Sequence, residues 1–330
     1  MKKYFKWGIL GPGAVSRLFA EGLRAAEGAE IEAVGSRSPD RAERFASQFE
    51  VRHWYGSYTE MVHHPGIEAV YIGTPHSFHR EHTMLCLEAG RNALCEKPFA
   101  INASQAREMA GAARRVNLAL MEAMWIRFLP ALNRVCELIG EGAIGKVREV
   151  KADFGFRAEF DPKGRLFDPA LGGGALLDVG VYPVNLAHMI LGRPDTVEAV
   201  ARIGETGVDE ESRALFGYQD GSRVVLTAAI RRETSCDALI TGAEGAISIP
   251  APWWQSERFM LADRNGKQKK FHLPYRGNGY THQAEEFMSI IRTGKKESEI
   301  MPLDDSISVM ESLDRIREDS GIRYPMEGEL

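Results

Sequence analysis

Two side chains far apart in this sequence have the chemistry to share a proton. Lys97, in "LCEKPFAIN" (94–102), carries a fixed ammonium group, and Tyr182, in "LGGGALLDVGVYPVNLAHMILG" (171–192), carries a phenol. A phenol titrates near pH ~10, so it accepts a proton near neutrality only when something lowers that value; a neighbouring ammonium is a suitable means. Asp178 stands four residues before Tyr182, on the same face if both are helical, where it can orient the phenol or a hydroxyl bound beside it. The glycines at 172–174 permit close backbone approach to a ligand or to another domain. Pro98 biases Lys97 to an extended backbone and keeps it out of the following helix, so covalent geometry aims the amine. Each residue also has a plain structural reading. Glu96 and Lys97 make a surface pair before a turn, Asp178 caps a helix, and Tyr182 fills a seam between domains. The residues alone leave both readings open, and Pro183 suits the first turn of a helix better than its middle.

A second set of residues suits phosphate. In "GILGPGAVS", Gly11 and Gly13 separate a strand-like run from a helix-like run, so the backbone N–H groups of Gly11, Gly13, Ala14 and Val15 can approach a pyrophosphate at a helix N-terminus. Ser16 replaces the third glycine of the dinucleotide fingerprint. The order strand, glycine turn, helix, strand distinguishes this site from an ordinary tight turn. A site for NAD would place Asp or Glu ~20 residues after the glycines. Here "AVGSRSPDRA" offers Ser36, a phosphate donor, and Arg37, whose planar fork suits a 2′-phosphate and stacking on adenine. NADP(H) is the expected coenzyme; the alternative is a solvated Arg37 whose field is complicated by Asp40. "YIGTPHSFHREH" then sets Thr74, Pro75, His76 and His79 at a strand end, on the rim where ligands bind in such sheets. His79 and His82 lack a third ligand and the spacing of helical zinc sites, so no metal is expected. "LCEKP" closes the next strand, directing Lys97 to the crevice of a nicotinamide ring, while Glu96 either contacts that ring or holds the strand end.

These groups need a scaffold, and the apolar rhythm describes one. Strand-like "YFKWGIL", "IEAVGSR", "AVYIG", "NALC" and "LALM" alternate with helices over Ala14 to Ala26, from Ser38 and Pro39, and over about 81–89 and 103–115. That alternation predicts a doubly wound parallel sheet over residues 1–122. Residues 123–330 read as an α+β domain. Runs such as "KVREVKADFGF", "SRALFGYQ", "SRVVLTAAIRR" and "GAISI", punctuated by "QDGS" and "GAEG", predict a large antiparallel sheet. A last helix over about 303–318 is expected to pack back on the body.

With 330 residues, 44% of them hydrophobic, the chain can build two cores. A net charge of −5 with interspersed signs gives no basic stripe, which argues against nucleic acid. "MKKYFKWGILGPGAV" has no signal-like apolar region and no run reaches the ~20 residues of a membrane span, so a soluble cytoplasmic protein is expected. Cys86, Cys95, Cys136 and Cys236 are widely spaced and read as small buried hydrophobes.

Taken together, "GILGPGAVS", "SRS", "TPHSFHREH", "CEKP" and "GGGALLDVGVY" resemble the glucose-fructose oxidoreductase, inositol dehydrogenase and MocA family from end to end. "LCLEAGRNALCEKPFAIN", "MEAMWIRFLPA", "ETGVDEES" and "KESEIMPL" bring it nearest to the dimeric dihydrodiol dehydrogenase group. The resemblance implies a Rossmann domain followed by an α+β domain whose open sheet often serves oligomerisation, here as a homodimer or higher homo-oligomer. It implies hydride transfer between NADP(H) and a sugar-like or vicinal diol substrate, with Lys97 and Tyr182 as the catalytic pair and Asp178 orienting. Many relatives have histidine where Tyr182 stands; tyrosine matches the dihydrodiol group. Trp125, Phe128, Phe154, Phe156, Trp253 and Trp254 offer aromatic surface for a sugar face or cyclic diol, among which Trp125 and Trp254 are favoured, and core packing is the alternative. Arg127 and Arg157 suit an anionic substituent or simple solvation. By the same resemblance, the fold also serves non-catalytic coenzyme-binding regulators and glycosidases that retain their nicotinamide.

Overall fold

The structure is a computed structural model that describes residues 4–327. Strand and helix alternate over residues 5–123: β1 (Phe5–Leu10), α1 (Ala14–Ala25), β2 (Ala29–Gly35), α2 (Pro39–Phe49), β3 (His53–Tyr55), α3 (Tyr58–Val62), β4 (Ala69–Ile72), α4 (His79–Glu88), β5 (Asn92–Glu96), α5 (Ala103–Val116) and β6 (Leu120–Ala123). Then follow α6 (Pro130–Gly140), β7 (Val147–Gly155), α7 (Val181–Leu191), β8 (Thr196–Ile203), β9 (Asp209–Gly217), β10 (Arg223–Ala229), β11 (Ala238–Gly242), β12 (Gly245–Ile249), β13 (Arg258–Asp263), β14 (Gln268–His272), α8 (Tyr280–Arg292) and α9 (Leu303–Ser320).

Strands β1, β4, β5 and β6 are almost wholly apolar because helices cover both faces of their sheet; Ile9, Leu10, Val70, Ile72, Leu94 and Met121 are all solvent-free. The six strands are parallel in the order β3-β2-β1-β4-β5-β6, the doubly wound arrangement expected from the alternation. The second sheet has eight strands in the order β14-β13-β12-β11-β7-β10-β9-β8. It is antiparallel except for the β7–β10 pair. "QDG" turns β9 into β10 and "GAEG" turns β11 into β12, as the punctuation predicts. Along β9 and β10 burial alternates: Ala214, Phe216, Val224 and Leu226 face the core, whereas Leu215 and Val225 face outward.

Two compact units result, both discontinuous in sequence. The first runs to Ala100, resumes at Ser104–Trp125 and again at Tyr275–Ile307. The second holds Ile101–Ala103, Ile126–Pro274 and the chain from Ser308. Helix α8 therefore joins the parallel-sheet unit although it follows the second sheet. Its Phe287 ring lies 5.7 Å from Trp7 of β1. Gly22 of α1 makes the close approach possible: a Cβ there would sit 2.9 Å from the Tyr280 Cβ, and the Thr281 hydroxyl donates to the Gly22 carbonyl at 2.8 Å.

The segment Pro169–Leu191, a 3-10 turn, a π turn and α7 in succession, contains an 18-residue stretch with a mean hydropathy of 1.3, apolar enough by composition for a membrane span, where the sequence reading expected none. Of that stretch 78% is buried, as in a core helix of the second unit. Cys86 and Cys95 are buried as expected, and burial pushes both thiols well up; Cys136 and Cys236 are only half-buried.

Candidate active site

In the first unit the glycine turn has the geometry of an anion cradle. Gly11 adopts φ +89°, and any Cβ there would lie 2.7 Å from the Thr74 methyl, so a larger residue is excluded twice over. Gly13 caps α1 without a side-chain acceptor, there is no acidic residue in the first turn, and the leading N–H groups of a helix have no intrahelical partner. A Cβ on Gly13 would meet nothing nearer than the Gly73 carbonyl at 3.7 Å, which leaves room above Ala14 and Val15. Ser16 is buried and donates to the Gly11 carbonyl at 2.6 Å, bracing the turn from below in place of the usual glycine contact.

At the end of β2, Ser36 is buried; its hydroxyl accepts from the Ser38 N–H at 3.1 Å, which leaves its own proton to donate. Arg37 is exposed and lies over the Phe78 ring, 5.2 Å from the centroid, and its positive charge also reaches Tyr58. After β4, Thr74 is held by two histidines. His82 Nδ1 lies 2.9 Å from the Thr74 hydroxyl, and His79 Nε2 lies 2.9 Å from the Thr74 carbonyl. His79 Nδ1 lies 2.7 Å from the Pro98 carbonyl, so one ring joins the loop after β4 to the loop that carries Lys97. A neutral imidazole donates to only one of those carbonyls. Burial nevertheless pushes both histidines down to about 4, which favours the neutral form. Pro75 precedes a short 3-10 turn at His76–Phe78, and the His76 ring meets His79 edge-on at 5.7 Å.

Lys97 is half-buried at the end of β5, next to a cis peptide bond to Pro98. Of the two roles open to Glu96, the structure displays the bracing one. Its buried carboxylate accepts from the Tyr71 hydroxyl at 2.5 Å and from the Lys97 N–H at 3.1 Å. Trp125 is buried and stacks on Tyr280 at 5.2 Å within the same unit.

In the second unit Tyr182 is buried at 7% exposure, with its ring 5.4 Å from Phe154. Phe154 in turn stacks on Trp254, centroids 3.4 Å apart and planes at 9°. Trp253 is enclosed, its indole donating to the Asp153 carbonyl at 2.9 Å, which fixes the "PWWQ" turn and presents Trp254. Asp178 does not cap a helix, contrary to one sequence reading. It lies inside a widened π turn, Leu176–Gly180, and its carboxylate accepts from Arg165 at 2.8 Å. The π turn has a local cause: Pro183 falls in the first turn of α7, where its ring would clash with the carbonyl four residues back and it has no N–H to donate. At the start of the π turn the N–H of Leu176 donates to Asp209 of β9 at 2.8 Å.

Sequence reasoning missed Arg165 and Asp209, because neither sits in a motif or at a helical spacing from Asp178. It also misjudged one cation. Arg127 is not solvated but buried at 3% exposure, its Nε donating to Asn185 at 3.0 Å. Arg157 is exposed. Phe128 is buried, and Phe156 lies 6.3 Å from Phe154.

Comparison with known proteins places these features among relatives. Residues 5–124 match the oxidoreductase family with an NAD-binding Rossmann fold, and residues 132–248 match the GFO/IDH/MocA C-terminal domain. Trans-1,2-dihydrobenzene-1,2-diol dehydrogenase of Xenopus tropicalis is 36% identical over 97% of this chain and 99% of its own. The Homo sapiens enzyme of the same name is 34% identical over 98% of each. Among solved structures, KijD10, a 3-ketoreductase from Actinomadura kijaniata in complex with NADP and TDP-benzene, is 26% identical. It superposes with a TM-score of 0.87 over 96% of this chain and 98% of its own.

Proposed function

The chain belongs to the GFO/IDH/MocA family of nicotinamide-dependent oxidoreductases, and from that premise we propose that it is an NADP(H)-dependent dehydrogenase of vicinal diols or sugar-like alcohols. The observation that carries the substrate class is the aromatic wall of Phe154 and Trp254 set against the Tyr182 ring, a flat apolar surface beside a phenolic hydroxyl. A cyclic diol or a sugar presents an apolar face to such a wall and its hydroxyls to the polar edge.

The coenzyme supplies hydride chemistry when bound. The chain supplies position and charge. Gly11, Gly13 and the N–H groups of Ala14 and Val15 would hold the pyrophosphate, and Ser36 with Arg37 would take the 2′-phosphate. Thr74, Pro75, His76, His79 and Glu96 shape the strand-end rim on which the nicotinamide side rests. In the oxidative direction Tyr182 would take the proton of the substrate hydroxyl, the coenzyme being the hydride acceptor. Lys97 carries the positive charge that favours phenolate and developing alkoxide, and the roles reverse in reduction. Asp178, fixed by Arg165, would orient the phenol; within the second unit Arg127, Phe154 and Trp254 are the candidate substrate contacts, and Trp125 is the candidate from the first.

The open face of the second sheet supports self-association. Val200, Ile203, Leu215, Val225 and Leu239 are all exposed there, with Val200 at 66%, and a homodimer would cover them. A cytoplasmic location accords with the same reading.

One assay tests the function. The protein is incubated with NADP⁺ or NAD⁺ and a panel of trans-dihydrodiols, aldoses and glycosides. Accumulation of NADPH with a diol or aldose is expected; glycoside cleavage without accumulation, or no turnover on any member, would reject the proposal.

A further inference from the structure

Outside the candidate active site, one cluster in the first unit has the composition and spacing of a metal centre. Glu32 on β2, His53 on β3 and His64 in the turn after α3 bring Glu32 Oε1 and the two histidine ring nitrogens within 4.8 Å of one another. Both imidazoles aim Nε2 at the same carboxylate oxygen, at 3.3 Å for His64 and 3.7 Å for His53. Those separations are long for charge-assisted hydrogen bonds, which fall at about 2.7–2.9 Å. The shorter equals the about 3.3 Å edge of a tetrahedron whose corners lie about 2.0–2.1 Å from a central zinc ion, and the longer would reach it by a small turn of the exposed His53 ring.

The surroundings complete the case. Tyr55 places its hydroxyl 2.8 Å from His64 Nδ1, the outer hydrogen bond that fixes a ligating imidazole with its other nitrogen free to bind. Lys6 occupies the second carboxylate oxygen, Oε2, at 2.8 Å, which leaves Oε1 turned to the two imidazoles. Gly66 walls the third side; a Cβ there would lie 3.0 Å from Glu32 Oε1 and 3.1 Å from His64 Nε2. The His53 side chain is 44% exposed, whereas Glu32 and His64 are 12% and 11% exposed, so the open coordination position faces solvent and an ion can enter.

We propose that Glu32, His53 and His64 form a site for a divalent transition metal of the zinc class, completed by water, that ties the edge strand β3 to β2 and to the turn after α3. Two imidazoles and one carboxylate select zinc, cobalt, nickel or copper over the oxygen-seeking magnesium and calcium. This inference is independent of the proposed reaction, since none of the three residues touches the candidate active site as described.

The test uses the full chain, stripped with a chelator. Zn²⁺ alone is titrated by calorimetry and Co²⁺ by visible absorption, each with wild type, His53→Ala and His64→Gln. One equivalent per chain is expected in wild type, with the intense absorption of a four-coordinate cobalt site. Either substitution should weaken binding at least about tenfold and remove the Zn²⁺-dependent rise in melting temperature. His53 is half-exposed at a sheet edge, so its alanine variant is the fallback if His64→Gln fails to fold. Absence of saturable uptake by wild type, or equal uptake by the variants, overturns the proposal.

Discussion

Arg165 donates to Asp178 at 2.8 Å, a surface guanidinium holding a carboxylate whose side chain is only 6% exposed. The pair joins an irregular stretch of chain to the π turn that leads into Tyr182. Arg165→Met removes the guanidinium while keeping the aliphatic stem. It should cost about 1–3 kcal/mol in stability, because a buried carboxylate loses a charged partner, and lower kcat more than it raises KM if Asp178 has the orienting role proposed for it. Thermal melts and steady-state kinetics read the two effects, and Arg165→Lys should restore part of both.

Lys97→Met is expected to cut turnover about 10²–10⁴-fold while leaving coenzyme affinity nearly unchanged, since the role proposed for the ammonium is on the reacting oxygen. Fluorescence titration of the coenzyme and single-turnover rates separate the two. Unchanged turnover rejects the role assigned to Lys97.

For Arg37→Ala, NADPH binding should weaken about 10–100-fold and NADH binding far less, as fits the loss of hydrogen bonds to a charged 2′-phosphate. Equal losses for the two coenzymes would show that Arg37 merely shelters the adenine on the Phe78 ring.

Asp209 is fully buried, and burial raises its carboxyl from the ordinary value to about 7. The folded state therefore holds the proton that the unfolded chain has already released, and stability from this group is complete below about pH 4 and falls as pH rises toward about 7. The slope is at most about 1.4 kcal/mol per pH unit. Asp209→Asn keeps an acceptor for Leu176 and cannot ionise. Relative to wild type its melting temperature should rise as pH goes from 5 to 8; a pH-independent difference would show that Asp209 is not protonated in the fold.

Much of this architecture is legible in the chain. The parallel sheet follows from short apolar runs bounded by glycine turns, and the eight-stranded sheet from alternation and hairpin punctuation, because both signals are local. The strand-end position of Lys97 follows from "LCEKP" alone. What escapes is set by contacts between distant segments. Asp178 lies in an irregular turn because Pro183 interrupts the regular pattern, so its spacing to Tyr182 gives no hint of Arg165. Arg127 is buried because Asn185, far along the chain, accepts its hydrogen bond. Tyr275–Ile307 joins the first unit through Gly22 and Trp7, and an amphipathic helix does not announce which core will take it.

Ser16 and Gly73 share one small space: a Cβ on Gly73 would fall 2.1 Å from the Ser16 hydroxyl oxygen. The two positions are consequently epistatic, and the order of change matters. Gly73→Ala alone drives a methyl group into an occupied spot, whereas the same step taken after Ser16→Gly escapes that clash and has only the Tyr71 ring edge, at 3.1 Å, to displace. A lineage or an engineer seeking to alter the coenzyme cradle must travel by way of position 16 first.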